Sequence, residues 1–130
     1  MAEALEAQDT RKLIAIVEDD AAIAEMFRDV LEFAGQWRLH FIADGEQAKT
    51  QLPEIGADLI LLDVGLPYLD GASLYRMLRA HNRTRNIPII VISGSHDWEL
   101  HRMGLQTGIL LQKPILVQEL LSTIQALLSQ

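Results

Sequence analysis

Short apolar runs that alternate with helix-like segments are the feature that most constrains the fold of this chain. LIAIV at residues 13–17, LILL at 59–62 and IPIIVI at 87–92 are apolar almost without a break, and ILLQ at 109–112 is similar. Unbroken runs of this length are typical of strands buried on both faces, as in parallel sheets. WRLHFI at 37–42 instead alternates apolar and polar residues, which predicts a half-exposed strand at a sheet edge.

Segments with helical periodicity separate these runs. Residues 21–34 repeat apolar side chains at helical spacing, with Asp20 at the expected N-cap and Gly35 at the expected C-cap. Helices are also predicted over 72–81, 96–104 and 117–128. A shorter one, over 44–52, is expected to end at Pro53 because proline lacks the N–H that continues a helix.

Strict alternation of strand and helix predicts an α/β fold, a five-stranded parallel sheet in a (βα)5 arrangement. Right-handed crossovers place helices on both faces, so the sheet is doubly wound. The 130 residues suit one domain. Residues 1–11 are polar and are expected to form a flexible N-terminal tail, so the domain is predicted over residues 12–130.

Charge and composition exclude several classes of function. With 18 acids against 11 bases the formal net charge is −7, which argues against binding of nucleic acid or of an anionic membrane. The chain has no cysteine, so disulfides and thiolate metal sites are excluded. Neither a signal peptide nor an apolar run of ~18 residues is present. We therefore expect a cytoplasmic protein with no membrane or nucleic-acid partner.

Polar residues follow the apolar runs. Glu18 and Asp19 follow the first predicted strand, and Asp63 follows the third. Ser93 follows the fourth predicted strand, and Lys113 follows the fifth. Parallel strands end at the same edge of a sheet, and ligands bind in the crevice outside those ends. These side chains are therefore expected to share one crevice. Asp20, by contrast, is expected to cap the first helix.

Acids gathered in one crevice require a counter-charge. Two carboxylates ~4 Å apart repel by about 4 kcal/mol at an effective dielectric constant of 20. Oxygen ligands without histidine or cysteine suit Mg²⁺ or Mn²⁺. A carboxylate neutralised in this way is a plausible acceptor for a phosphoryl group. The ammonium of Lys113, the hydroxyl of Ser93 and the N–H of Gly94 could stabilise the added charge.

The motifs LIAIVEDD, DLILLDVGLPYLDG, IPIIVISG and LLQKPI, in that order, resemble the receiver domain of two-component response regulators, the CheY-like group of flavodoxin-like folds. The resemblance covers residues 12 to about 128 and implies a strand order of 2-1-3-4-5. It implies that Asp63 is the phosphoacceptor. Glu18, Asp19, Asp63 and the backbone carbonyl of Gly65 would hold Mg²⁺, for which Mn²⁺ can substitute.

The resemblance also implies roles for Ser93, the switch hydroxyl, and Lys113, a phosphate contact that precedes a cis proline. Phosphorylation would switch the surface around the predicted fourth helix, the fifth strand and the fifth helix. Leu110 departs from the family, which usually has an aromatic residue there as the partner of the switch hydroxyl. The resemblance therefore does not define how Ser93 would be coupled to that surface.

The implied function is a phosphoacceptor response regulator in a phosphorelay, a phosphoprotein that carries an aspartyl phosphate. Its phosphoryl donor would be a sensor histidine kinase or a histidine phosphotransfer protein. The chain would not be an enzyme, except toward its own phosphorylation, and would be a monomer or a homodimer.

The alternative is a phosphorylation-independent interaction module. An FMN module is disfavoured because the acids after the first strand would repel a phosphate. A phosphatase with an aspartate nucleophile would need a second acid two residues after Asp63, where Gly65 stands.

Overall fold

A five-stranded parallel sheet forms the centre of the protein, in a computed structural model that describes residues 9–63, 71–93 and 109–129. The strands are β1 (Leu13–Val17), β2 (Arg38–Ile42), β3 (Leu59–Asp63), β4 (Ile89–Ser93) and β5 (Ile109–Gln112). Their order is β2-β1-β3-β4-β5, and every neighbouring pair is parallel. The predicted α/β class with a parallel sheet is thus confirmed.

Helices flank this sheet. They are α1 (Ala21–Ala34), α2 (Gly45–Ile55), α3 (Gly71–Ala80) and α4 (Val117–Leu128), the last being the predicted fifth helix. The predicted fourth helix, over 96–104, lies outside the described residues, and so do residues 1–8 of the expected tail. The complete (βα)5 count and the domain boundary at residue 12 stay predictions. Within the described ranges, no helix combines the length and the apolar character that spanning a bilayer requires.

The ends of α1 are set by local sequence, as predicted. The Asp20 carboxylate accepts hydrogen bonds from the backbone N–H groups of Ala22 (2.9 Å) and Ile23 (3.1 Å). These are two of the donors that a helix leaves unpaired at its N-terminus. Gly35 then ends the helix in the left-handed region, at φ 69°, which a residue with a side chain adopts less readily.

The predicted end of α2 at Pro53 is wrong. The helix continues through Pro53 to Ile55 and ends at Gly56, whose φ is 66°. Proline has a helical φ, and at this position it removes only one hydrogen bond of the last turn. Ala48 and Leu52 are buried against the sheet, so packing of the helix offsets that loss.

Two separate clusters of buried side chains cover the two faces of the sheet. One joins α2 and α3 to the sheet through Leu52, Leu78 and their neighbours. The other joins α1 and α4 through Leu31, Ile124 and their neighbours. Alternate residues of each central strand point to opposite faces, which explains why β3 and β4 are buried along their whole length. Helices therefore lie on both faces, as predicted.

The connection from α3 to β4 is fixed by hydrogen bonds from side chains to backbone carbonyls, one of which is buried. Thr84 is fully buried, and its hydroxyl donates to the carbonyl of Leu78 at 2.6 Å. The guanidinium of Arg79 donates to the carbonyls of Arg85 (3.0 Å) and Ile87 (2.7 Å). These bonds hold the turn immediately before β4, the strand that ends at one of the predicted site residues.

Candidate functional site

The predicted site residues stand at one edge of the sheet. Glu18 and Asp19 directly follow β1, Asp63 ends β3, Ser93 ends β4 and Lys113 directly follows β5. Each of these strands neighbours the next in the sheet. Asp63 lies opposite Ile92 in the register of β3 and β4, one residue before Ser93.

Asp63 and Lys113 form an ion pair at the floor of this crevice. The Lys113 ammonium lies 2.9 Å from Oδ2 of Asp63, whose side chain is 1% exposed. The backbone N–H of Lys113 donates to the carbonyl of Ser93 at 3.0 Å, which fixes the lysine beside β4. The Lys113–Pro114 peptide bond is cis, as the resemblance implies. Asp63 is thus a buried carboxylate paired with the Lys113 ammonium.

Glu18 is buried beside Asp63, with 2% of its surface exposed. Its Oε2 accepts a hydrogen bond from the backbone N–H of Asp20 at 3.1 Å. Burial, and next a side-chain hydrogen bond with Asp63, raise the pKa of Glu18 to about 8, against the opposing effects of the Asp20 N–H and of Lys113. The raised pKa favours the protonated form of Glu18 when no cation is bound.

A divalent cation fits these acids. Within the described ranges, Oε1 of Glu18 is buried and accepts no hydrogen bond, and Asp63 lies beside it. No set of three acid, histidine or cysteine side chains among the described residues is arranged to enclose a metal ion. Mg²⁺ does not need such an enclosure, since it keeps several water ligands and binds one or two carboxylates. Asp19, partly exposed, is a further ligand candidate.

Other predicted residues contribute to different degrees. Ser93 is fully buried at the end of β4, next to the strand that ends at Asp63. Gly65, the predicted carbonyl ligand, and Gly94, the predicted N–H donor, lie outside the described residues. Leu110 lies opposite Val91 in the register of β4 and β5.

Two exposed apolar residues that follow Lys113 in the sequence escaped the sequence reasoning. Leu116 and Val117 are 64% and 50% exposed, only a few residues after Lys113. Leu116 stands at the N-cap of α4 without a side-chain capping bond. Their sequence, apolar and continuous with α4, resembles the start of a buried helix face. The signal that could have found them is the absence of a polar N-cap residue.

Residues 14–125 match the sequence profile of the response regulator receiver domain. This chain is a member of that family. Among its curated relatives, the transcriptional regulatory protein GltR of Pseudomonas aeruginosa is 38% identical to the receiver domain over 117 residues, covering 88% of this chain and 48% of GltR. The DNA-binding response regulator MtrA of Mycobacterium leprae is 36% identical over 118 residues, covering 89% of this chain and 51% of MtrA.

Solved structures show the same similarity. The receiver domain of the sensor histidine kinase PA1611 from Pseudomonas aeruginosa, which has a magnesium ion coordinated in its active site cleft, superposes with a TM-score of 0.82 and 31% identity. That match covers 93% of this receiver domain and all of the other chain. A CheY-like receiver domain from Methanospirillum hungatei gives a TM-score of 0.79 at 27% identity, covering 92% and 95% of the two chains. The curated relatives are longer, and this chain spans about half of their length.

Proposed function

We propose that this receiver domain accepts a phosphoryl group on the carboxylate of Asp63, from the phosphohistidine of a sensor histidine kinase or of a histidine phosphotransfer protein. The observation that carries the proposal is the buried Asp63 with the Lys113 ammonium at 2.9 Å. A carboxylate in this position is sheltered from water and has a cation ready to balance added charge. The alternative role, as an interaction module without phosphorylation, gives no reason for this pair.

The bonds that form and break in this transfer belong to the donor and to Asp63. A carboxylate oxygen of Asp63 attacks phosphorus, the P–N bond to the donor histidine breaks, and its electron pair stays on the imidazole nitrogen. The product is an acyl phosphate with about two negative charges where the carboxylate had one. Lys113 then pairs with a phosphoryl oxygen, and the hydroxyl of Ser93 donates to another.

Magnesium is the proposed cofactor of this transfer. Glu18, Asp19 and Asp63, with the carbonyl of Gly65, would hold Mg²⁺, which would neutralise charge on the phosphoryl oxygens. The burial of Glu18 beside Asp63 supports this assignment, as does the magnesium ion reported for the receiver domain of PA1611. Mn²⁺ should substitute because it prefers the same oxygen ligands. Either ion, when bound, would take the place of the proton on Glu18.

The output would follow from the movement of Lys113. This lysine lies between β5 and α4, so its shift from the carboxylate to a phosphoryl oxygen would change the surface that these elements form with the predicted fourth helix. Leu116 and Val117, exposed beside it, give that surface an apolar contact for a partner protein. The chain would act on no substrate other than its own phosphoryl group, in the cytoplasm where kinases have access to ATP.

Nucleic-acid binding is not part of this proposal. The names of GltR and MtrA state transcriptional regulation and DNA binding for proteins about twice as long as the matched region. The net charge of −7 on this chain disfavours contact with phosphates of DNA. We therefore assign this region the role of receiving the signal.

Intact-mass spectrometry tests the acceptor assignment. Incubation of the chain with Mg²⁺ and acetyl phosphate should add the mass of one phosphoryl group. Asp63→Asn should prevent this addition, because the amide cannot form the acyl phosphate. Asp29→Asn, which alters an exposed aspartate of α1, is the matched control and should be labelled like the unaltered chain. Omission of Mg²⁺ should slow the labelling.

An equal adduct on the unaltered chain and on Asp63→Asn would overturn the proposal. Circular dichroism of Asp63→Asn must show a folded protein, since the substitution leaves Lys113 without its buried partner. Labelling that proceeds at the same rate with Mg²⁺ and with a chelator would remove the metal from the proposal and leave the acceptor in place.

A further inference from the structure

A pocket of about 270 Å³ lies at the end of the sheet opposite Asp63, where β1 and β2 begin. Trp37, 7% exposed, and Leu128 form its apolar part. Arg11 and Lys12 contribute positive charge to its rim. The remaining lining side chains are polar and the pocket is open to solvent, so its apolar part offers a contact surface for an aromatic ring rather than a closed cavity.

An aromatic side chain stands exposed at the same end of the molecule. Phe33, in the last turn of α1, is 95% exposed, more than any other large apolar side chain of the described residues. Gly35 then turns the chain in the left-handed region, and Gln36, the next residue, lines the pocket. The exposed ring and the pocket are thus separated by a single tight turn.

The charges at the two features have opposite signs. Lys12 forms no ion pair with the residues that the structure describes, whereas Arg11 is paired with Asp9 at 2.9 Å. Glu32, next to Phe33, has a side chain that is 60% exposed. Its cationic partner among the described residues is the Arg28 guanidinium, which lies 3.8 Å from the Glu32 carboxylate. One positive side chain at the pocket and one negative side chain beside the ring are therefore available for pairing.

We propose that two copies of this chain associate through this end, with Phe33 of each copy inserted into the pocket of the other. The ring would contact Trp37 and Leu128, and the cations of the rim would lie near its face, an arrangement that stabilises aromatic contacts. Glu32 of one copy would pair with Lys12 of the other.

A closed dimer follows from the position of the two features. Because the ring and the pocket lie close together on one surface, a two-fold axis between them makes both insertions at once. The interface is small, so the dimer is weak, with a dissociation constant in the micromolar-to-millimolar range. It forms far from Asp63 and does not depend on phosphorylation.

Sedimentation equilibrium over that concentration range tests the dimer. The mass of the unaltered chain should rise toward twice 14.6 kDa. Phe33→Ser should weaken dimerisation by at least about 30-fold, as removal of a central aromatic anchor does in other interfaces. Met26→Ser is the matched control, since Met26 is also exposed on α1, at 46%, but lies two turns away from the pocket end. It should dimerise like the unaltered chain.

Charge reversal tests the geometry of the contact. Lys12→Glu and Glu32→Lys should each weaken the dimer by about tenfold, because each places like charges together. The double variant restores opposite charges in exchanged positions, so it should return to within about threefold of the unaltered chain. Both residues are exposed, so neither single substitution should unfold the chain. Weaker dimerisation of the single variants would therefore report on the charge pair.

Several outcomes would overturn the dimer. They are a monomer at all concentrations, dimerisation of Phe33→Ser equal to that of the unaltered chain, absence of rescue in the double charge variant, and assembly beyond two copies. Asp63→Asn should dimerise normally. Loss of dimerisation in that variant would contradict independence from phosphorylation, whereas its loss of labelling concerns only the proposed function.

Discussion

Glu18 is buried, with 2% of its surface exposed, and it lies beside another acid, Asp63. Burial and the neighbouring Asp63 raise its pKa from 4.5 to about 8. Between these values the folded chain holds a proton that the unfolded chain has lost. The stabilising contribution of this proton is full below about pH 4.5 and is lost as pH rises through about 8.

Glu18→Gln should abolish this dependence on pH. In the absence of divalent cations, the free energy of unfolding of the unaltered chain should fall between about pH 5 and about pH 8, with a slope of at most about 1.4 kcal/mol per pH unit. The glutamine variant should show a flatter profile and be the more stable protein at the upper end of this range. Urea titrations at several pH values measure both effects.

Glu46→Gln provides the control for that experiment. Glu46 is exposed, and among the described residues its carboxylate pairs with Lys49 in a surface ion pair, so its replacement should leave the profile of the unaltered chain unchanged. Parallel profiles for the unaltered chain and Glu18→Gln would show that Glu18 ionises normally in the folded protein.

Single residues differ in how far sequence predicts them. The role of Asp20 as an N-cap was predictable because its hydrogen bonds go to residues two and three positions away. The contact of Asp63 with Lys113 could be placed at one sheet edge, but not at 2.9 Å. The elevated pKa of Glu18 depends on burial and on Asp63, which is distant in the sequence, so no local pattern records it.

At the scale of elements, the turn between α3 and β4 shows how one buried hydroxyl fixes a strand. Thr84 is fully buried and donates to the carbonyl of Leu78. Without that donor the carbonyl would be buried and unpaired, which costs more than the bond itself contributes. The turn also sets where β4 begins, and β4 ends at Ser93.

Thr84→Val should therefore destabilise the protein by about 1–3 kcal/mol, because valine keeps the shape of threonine and removes the donor. Chemical denaturation measures this loss. Thr123→Val is the control, because the Thr123 hydroxyl also donates to a carbonyl, that of Glu119, at an exposed position. It should change stability by less than about 0.5 kcal/mol. Equal effects of the two substitutions would contradict the importance of burial.

The end of α2 shows where prediction of an element fails. Proline is a reliable stop when only local hydrogen bonds are counted. Here Pro53 lies one position after Leu52, which is anchored in the core, and the helix continues to the glycine beyond. Packing against the sheet decided this boundary, and packing is a property of the assembled protein.

For the molecule as a whole, the sheet divides the core into two parts that share no buried side chain. Alternation of apolar runs with helices was sufficient to predict this arrangement. The strand order came from the family resemblance, because alternation alone does not say which strand lies beside which.

The two parts should respond independently to substitution. Ile42→Val, in the cluster under α2 and α3, and Ile124→Val, in the cluster under α1 and α4, should each destabilise by about 0.5–1.5 kcal/mol. The double variant should equal their sum within about 0.5 kcal/mol. Thermal or urea unfolding of the four proteins measures the coupling, and a coupling above 1 kcal/mol would show that strain crosses the sheet.

Separation of the two clusters also bears on how such a chain can diverge. Substitutions in the cluster under α1 and α4 need no compensating substitutions under α2 and α3, because the strands of the sheet separate the two clusters. The face that carries Phe33 and Leu116 can therefore change in evolution to fit a new partner, while the opposite face changes independently. Asp63 ends one of the strands that both faces share, and Glu18 and Lys113 directly follow two others, so a change on either face can leave these strand ends in place.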